Sequence, residues 1–361
     1  MNGEGPRPPH PYVWPFIAGA AGLILLVALD LMSGRGTSLR GEMTEAARLM
    51  ARAEAAVARC RTAAGPRTDA AADPNGTGLI GLGTSPITTS LGNLEAKRTT
   101  TNPDFAALVV SLLDGAGVRR GDAVAVGASG SFPALVIATL SAAKAMGVEP
   151  LVISSLGASE WGANDPAFTW LDMEECLARS GFLEVRPVAL ALGGDEDVGR
   201  NMEPAARAAL VGRIRASGAP FVDEAGLEAN VRERLRLYAA AAGGRPLKAF
   251  VNIGGSRANI GTNAAVLKLR PGLVRDAFVP PPAERGVLQE MAARGLPVVH
   301  LLNIRGLCRR YGLPWDPRPL PAPGAAGLYR RAAARGGAAT WLSAAYVLFV
   351  AAFLVSRKRP L

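Results

Sequence analysis

The stretch AVAVGASGSFPALVIATL, residues 123–140, decides the fold class of this chain. Residues 122–126 predict a strand, and residues 132–146, with a proline near their start, predict a helix. Between them, residues 127–131 (GASGS) contain the small residues that a tight turn needs. A strand-to-helix corner of this kind is a nucleophile elbow, an anion-binding loop or a plain turn, and the rest of the sequence has to distinguish them.

The central region repeats this alternation of strands and helices. Further strands are predicted at EPLVISS (149–155), VRPVALAL (185–192), LKAFVNIGG (247–255) and GLPVVHLLNI (295–304). Further helices are predicted near 104–114, 169–181, 203–216 and 226–241. Short apolar strands between helices are typical of a mostly parallel sheet with helices on both faces. We therefore expect an α/β domain over residues 76–313.

Two uncharged apolar stretches, residues 11–29 and 336–356, flank this domain. Each reaches the roughly 18–20 residues that a membrane-spanning helix requires, so transmembrane helices are predicted at residues 13–32 and 338–355. The alternative for the first is a cleaved signal peptide, but no A-x-A cleavage pattern follows it. The alternative for the second is a buried core helix, which its position before the basic tail 356–361 disfavours. Residues 1–12 form a short tail before the first span.

The spans predict a two-pass protein of the cell membrane. Residues 33–75 are interpreted as a juxtamembrane helix and linker, and the proline-rich residues 314–335 as a tether to the second span. Because the first span resembles a signal anchor, we expect the domain outside the cytoplasm. NAD and ATP are not normally available there, which disfavours dehydrogenases and kinases, and no cofactor is predicted.

Charge and cysteine content narrow the function further. The formal net charge is +10, which favours anionic partners. No nucleic-acid-binding motif is present, so we expect no nucleic-acid partner. The phosphate-loop pattern G-x-x-x-x-G-K is also absent. Cys60, Cys176 and Cys308 lie too far apart for a metal motif and are interpreted as small buried thiols.

Small polar residues cluster where the predicted strands end. Ligands of parallel α/β sheets bind at this carboxyl edge, and backbone amides at helix starts favour anions. The corners after residues 126 and 253 are therefore the candidate anion-binding loops. A carboxylate and a phosphate fit them equally, and a plain turn remains the alternative. The candidate ligand-binding residues are Gly127, Ser129, Gly130, Ser131, Gly254, Gly255, Ser256, Arg257 and Asn259.

Ser129 is also a candidate nucleophile, because residues 127–131 loosely follow the G-x-S-x-G elbow pattern. A serine nucleophile needs a base, and His300 is the only histidine within the predicted domain. Asp223 or Asp276 would complete a triad. However, His300 lies inside an apolar strand, which is typical of a packed core histidine, so catalysis by this pair is the less favoured interpretation.

Three further features of the sequence each allow two interpretations. Asp195 and Asp197 are candidate ligands for a divalent cation, or solvated carboxylates of which one caps the following helix. Trp161 stacks on a ligand or fills an apolar notch. The hydroxyl-rich segment 84–104 lines the site beside Ser129 or forms an ordered surface loop.

A set of ordered segments resembles the poly-gamma-glutamate system protein family, over roughly residues 76–325. They are TSPITTSLGNLEAKRTTTNPDFAALVVSLL, GASGSFPAL, SSLGASEWGANDP, GGDEDVGR, NIGGSRANIG and YGLPWDPRPLP. The resemblance implies a membrane-associated accessory protein of bacterial poly-gamma-glutamate synthesis or export, whose partners are the anionic polymer or its oligomers and other membrane components of the synthase and export complex. It implies no catalytic residues. A serine-dependent hydrolase or transpeptidase and a scaffold without chemistry remain the alternatives.

Overall fold

The computed structural model describes residues 13–65, 69–182 and 186–330, together with residue 346. The chain separates into two compact units, of which the larger is Glu42–Leu328 and the smaller combines Met1–Gly41 with Tyr329–Leu361. The sheets and most helices belong to the larger unit.

The helices cover most of the predicted helical segments and add short ones that the sequence pattern did not reveal. They are α1 (Val13–Ala64), α2 (Leu94–Thr100), α3 (Asp104–Ala116), α4 (Pro133–Met146), α5 (Trp170–Arg179), α6 (Pro204–Ala216), α7 (Leu227–Ala242), α8 (Arg257–Ile260), α9 (Val287–Ala293) and α10 (Ile304–Tyr311). Short 3-10 helices lie at Asp195–Asp197, Ala264–Lys268 and Pro282–Glu284.

A seven-stranded sheet organises the larger unit, in the order β6-β5-β2-β1-β7-β9-β8. Its strands are β1 (Ala123–Ser129), β2 (Glu149–Ser155), β5 (Ala189–Ala191), β6 (Phe221–Val222), β7 (Leu247–Ile253), β8 (Gly272–Val274) and β9 (Val298–Leu301). A separate antiparallel pair comprises β3 (Asn164–Asp165) and β4 (Phe168–Thr169). Only β8, at one edge of the large sheet, runs antiparallel to its neighbour. The predicted mostly parallel α/β fold is confirmed.

The sheet is covered on both faces at its centre. Every residue of β1 is buried, although successive side chains of a strand point to opposite faces. On one face, Ala125, Ile153 and Phe250 pack against α7 and α9 through Tyr238 and Leu288. Such a strand reads as a continuous apolar run, which is why residues 123–126 were recognisable from sequence.

β1 is longer than the sequence predicted. It continues through the glycine of the GASGS stretch to Ser129, which pairs in parallel register with Ser155 at the end of β2. Position 127 of this strand requires glycine, because a Cβ atom there would lie 2.6 Å from Oδ1 of Asn259. The turn therefore begins after Ser129.

The segment of α1 from Glu42 onward belongs to the larger unit and is bonded to its other elements. Arg61, which is 2% exposed, donates hydrogen bonds to the carbonyls of Gly78 and Ile80 and pairs with Asp165 at 3.2 Å. The neighbouring Cys60 forms a disulfide with Cys176 of α5. The interpretation of these two cysteines as free thiols was wrong, since their 116-residue separation conceals a contact that only the fold creates. Cys308 is a buried free thiol, as expected.

The first part of the predicted tether is bound to the domain rather than extended. Asp316 accepts two hydrogen bonds of 2.7 Å from the guanidinium of Arg98. Asp104 at the start of α3 accepts the amides of Gly324 and Ala326. A proline-rich segment has few amides for regular structure, so side chains of α2 and α3 hold it in place.

The predicted membrane segments are covered only in part. Residues 13–32 form the beginning of α1, whereas 338–355 lie outside the described residues except at position 346. The tails 1–12 and 356–361 lie outside them as well. Among the residues that the structure describes, no helix combines the length and the apolarity needed to cross a membrane.

Candidate functional site

The carboxyl ends of the central strands converge at a topological switch point. Along the chain, β1, β2, β5 and β6 extend the sheet in one direction, and β7 and β9 then extend it from the other side of β1. The loops after β1 and β7 consequently diverge and leave a crevice between them, which is where open α/β sheets bind ligands.

A cavity of about 300 Å³ occupies this crevice. Its wall combines hydroxyl side chains from four loops with the glycines of residues 193–194 and with two charged side chains, Asp195 and Arg257. The segment 84–104 contributes Thr89 and Ser90, which favours the interpretation that it lines the site beside Ser129. The hydroxyl groups and the short backbone loops make this a polar site for a small ligand.

The cavity brings together part of the predicted residue set. Ser129, Ser131, Gly255, Ser256 and Arg257 line it. The remaining candidates, Gly127, Gly130, Gly254 and Asn259, are buried behind this lining and shape the loops. The convergence of the two predicted corners on one rim follows from the parallel sheet.

The corner after β1 does not offer open amides. The Gly130 amide donates to the carbonyl of Ser155, the Ser131 amide donates to Oγ of Ser129, and the Phe132 amide donates to the carbonyl of Ser129. An anion at this corner would therefore contact hydroxyl groups rather than the backbone donors that the sequence suggested.

The corner after β7 offers side-chain donors instead. Oγ of Ser256 is buried and has no hydrogen-bond partner among the described residues. Arg257 follows it with an exposed side chain that lines the cavity. A buried hydroxyl without a partner costs about 1–3 kcal/mol, so a ligand that bonds to Ser256 recovers that cost. This corner is the better candidate for contact with a carboxylate.

Ser129 and His300 do not form a catalytic pair. Ser129 lies in regular strand backbone and is not among the described residues with positive φ, so the strained elbow is absent. His300 lies on β9, which β7 separates from β1, so roughly 9.5 Å lies between the two strands. Nδ1 of His300 instead contacts Nδ2 of Asn252 at 3.1 Å, and burial lowers the pKa of His300 to about 4. His300 is a neutral core residue.

Asp197 belongs to a buried ion pair. Its Oδ2 accepts hydrogen bonds from Nη2 of Arg234 at 2.5 Å and from Nδ2 of Asn230 at 3.0 Å, while Oδ1 accepts one from the Ser155 hydroxyl. Both oxygens of the carboxylate that the sequence suggested as a metal ligand are therefore engaged in hydrogen bonds within the protein. Asp195 is exposed at the rim of the cavity. Within the described ranges, no three histidine, cysteine or acidic side chains gather into a metal site.

Lys97 is the functional candidate that the sequence did not reveal. This side chain of α2 is 3% exposed and projects its amine between three cavity residues. Nζ donates to the carbonyl of Ser131, lies 2.6 Å from Oγ of Ser159 and 3.9 Å from the centre of the Phe132 ring. Burial lowers the pKa of Lys97 to about 7. The only sequence signal was a lone lysine in the hydroxyl-rich segment of an arginine-rich protein.

Trp161 fills a notch rather than projecting into the cavity. It adopts a positive φ of 63° and its ring lies about 3.1 Å from where a Cβ atom of Gly83 would stand. Its amide donates to the carbonyl of Leu82. Trp161 therefore holds the segment before Thr89 against the loop that follows β2.

Comparison of the chain with protein-family models, characterised proteins and solved structures gave no significant match.

Proposed function

We propose that the chain is a membrane-anchored accessory protein of poly-gamma-glutamate synthesis or export, and that its cavity binds a carboxylate-bearing ligand. The observation that carries the binding proposal is the convergence of Ser129, Ser256 and Arg257 on one polar crevice at the switch point of the sheet. The family assignment rests on the resemblance of the sequence segments, and the polymer is the anionic ligand to which that resemblance leads.

The charge and the volume of the cavity favour the end of a poly-gamma-glutamate polymer, or a single glutamyl unit, as the ligand. Arg257 supplies a cation at the wall, and the Ser256 hydroxyl beside it lacks a partner within the described part of the chain. Guanidinium groups bind carboxylates through charge-assisted hydrogen bonds. At about 300 Å³, the cavity is at the lower end of the range of ligand sites, so we expect it to take a terminal γ-glutamyl group rather than a length of polymer.

A location outside the cytoplasm is part of the proposal. Its motivations are the two apolar stretches at residues 13–32 and 338–355 and the Cys60–Cys176 disulfide, a bond that persists in oxidising compartments. Alkaline phosphatase fused after residue 330 should be active if the domain lies outside, and inactive when fused after residue 361. The reverse pattern would place the domain in the cytoplasm.

Calorimetric titration of the full-length chain with short γ-linked glutamate oligomers tests the binding proposal. We expect binding that weakens with salt, and that weakens by roughly 10- to 100-fold in Arg257→Gln through loss of a charge-assisted hydrogen bond. Arg215→Gln is the matched control, because Arg215 is an exposed arginine of α6 that does not line the cavity.

Two results would contradict the binding proposal. One is the absence of binding at low salt. The other is an equal effect of Arg257→Gln and Arg215→Gln, which would show that only the net charge matters. In either case, a scaffold role without a ligand becomes the better explanation of the family resemblance.

A further inference from the structure

Ser159 stands apart from the other serines of the cavity because an amine touches its hydroxyl. Its Oγ lies 2.6 Å from Nζ of Lys97, and both side chains are buried to more than nine-tenths. Among the described residues, the Ser129 hydroxyl is bonded only by the Ser131 amide. Ser131 offers Lys97 its carbonyl rather than its hydroxyl. The Ser155 hydroxyl donates to the Asp197 carboxylate, which Arg234 and Asn230 also bind. Among the described residues, Ser159 is therefore the cavity serine whose hydroxyl contacts an amine that can act as a base.

We propose that Ser159 and Lys97 form a nucleophile and general base for acyl transfer from an amide substrate. The proposal rests on the proposed function for its substrate class, an amide carbonyl that is linked to a carboxylate, as in a γ-glutamyl group. Its chemistry rests on the two side chains and their surroundings alone.

The surroundings hold the serine in one position. The Ser159 amide donates to Oγ of Ser131 at 2.9 Å. On either side of Ser159, the Ala158 carbonyl accepts the Thr89 amide at 2.9 Å, and the Glu160 amide donates to the Ser90 carbonyl at 3.0 Å. The loop after β2 is thus bound to the segment that leads into α2, and α2 carries Lys97. A nucleophile and base held by such supports need little reorganisation when a substrate arrives.

The amine is not neutralised by an acid. Among the described residues, no carboxylate forms an ion pair with Lys97, and its burial comes without a compensating charge. The adjoining segments carry three further charged groups, none of which forms an ion pair with Lys97 among the described residues. Glu160 accepts the Gly92 amide, while Asp195 and Arg257 line the cavity. The Phe132 ring favours the ammonium form, burial favours the neutral amine, and the pKa of about 7 leaves both forms populated near neutrality.

The reaction balances with water as the second substrate. Oγ of Ser159 bonds to the carbonyl carbon while its proton moves to Nζ of Lys97, and the carbonyl π electrons move to oxygen. Collapse of this intermediate breaks the C–N bond, and the Lys97 ammonium gives its proton to the leaving amine. Water then attacks the ester, Lys97 accepts a proton from that water and returns it to Oγ as the ester C–O bond breaks. An amine in place of water gives transpeptidation.

Covalent labelling of the full-length chain with an alkyl fluorophosphonate tests the pair. Oγ displaces fluoride from phosphorus, and Lys97 takes the proton. We expect one adduct, located on Ser159 by peptide mass spectrometry and absent from Ser159→Ala. The labelling rate should rise about tenfold per pH unit below pH 7 and become constant above it, following the pKa of Lys97.

Lys97→Met should reduce the labelling rate by at least 100-fold. Lys144→Met is the control, because Lys144, although exposed, also donates to a backbone carbonyl, that of Phe182, and lies over the Phe182 ring. Within the described part of the chain, Lys144 has no serine partner. It should label like the unaltered chain. The pH profile of the unaltered chain needs no variant, so it remains decisive if Lys97→Met does not fold.

The outcomes separate this proposal from the binding proposal. Labelling that persists in Ser159→Ala, a pH-independent rate, or no labelling at all would overturn the nucleophile–base pair. If γ-glutamate oligomers still bind under those circumstances, the cavity is a binding site without chemistry. If labelling follows Ser159 and Lys97 but the oligomers do not bind, the acyl-transfer site acts on another amide and the proposed ligand is wrong.

Discussion

Two buried cations flank the cavity, and they differ in what compensates their charge. Arg234 pairs with Asp197 and also bonds to Ser155 and Asn230, all of which are buried. Lys97 contacts a carbonyl, a hydroxyl and an aromatic ring, with no carboxylate. A paired charge stays charged and rigid, whereas an unpaired one adapts by shifting its pKa. The first arrangement supports the cavity, and the second suits proton transfer within it.

The largest expected effect comes from breaking the paired site. Asp197→Ala removes one partner and leaves the 0%-exposed guanidinium of Arg234 without its counter-ion, so the free energy of unfolding should fall by about 3–5 kcal/mol. Chemical denaturation measures this loss. Glu228→Ala is the control, since the Arg232–Glu228 pair is exposed on both sides and should contribute below about 1 kcal/mol. Equal losses in both variants would show that the buried pair has no special structural role.

The unpaired amine of Lys97 should make the free energy of unfolding depend on pH. The pKa of Lys97 is about 7 in the folded chain and 10.5 for an ordinary lysine. Between these values the unfolded chain binds more protons, so the free energy of unfolding rises with pH. Between pH 7 and pH 9 the contribution of Lys97 should increase by about 2–3 kcal/mol.

Urea denaturation of the unaltered chain and of Lys97→Met at several pH values isolates this contribution. The variant lacks the titrating amine, so its stability relative to the unaltered chain should decline as pH rises from 7 to 9. A difference that does not change with pH would show that the Lys97 amine keeps an ordinary pKa, and the contrast with Arg234 would then disappear.

The smallest expected effect concerns the positioning of Ser159. Ser131→Ala removes the acceptor of the Ser159 amide, and the loss of one such hydrogen bond should cost about 1 kcal/mol of stability. The fluorophosphonate labelling rate should fall by roughly three- to tenfold while its pH midpoint stays near 7, since Lys97 is untouched. A shifted midpoint, or an unchanged rate, would show that Ser131 does not position the nucleophile.

The sequence predicted the carboxyl edge of the sheet well, because that prediction needs only the order of strands and turns. Ser129 is the last residue of β1 and Ser256 follows β7, and any parallel arrangement of these two apolar strands would align their ends. It predicted the partners of individual side chains poorly. Ser129 and His300 are separated by an intervening strand, and Asp197 is committed to Arg234. Contacts between residues that are distant in sequence leave no local pattern for a single sequence to show.

Local patterns of apolarity, glycine and proline determined the α/β alternation, the buried central strand and the site of the crevice, because these depend on the backbone's own periodicity and turn chemistry. The tertiary structure alone decided that Cys60 meets Cys176, that the proline-rich segment folds back on α2 and α3, and that Lys97 reaches Ser159. The reason is burial: a side chain acquires its charge state and its partner from the elements packed around it, and those elements come together only when the chain folds.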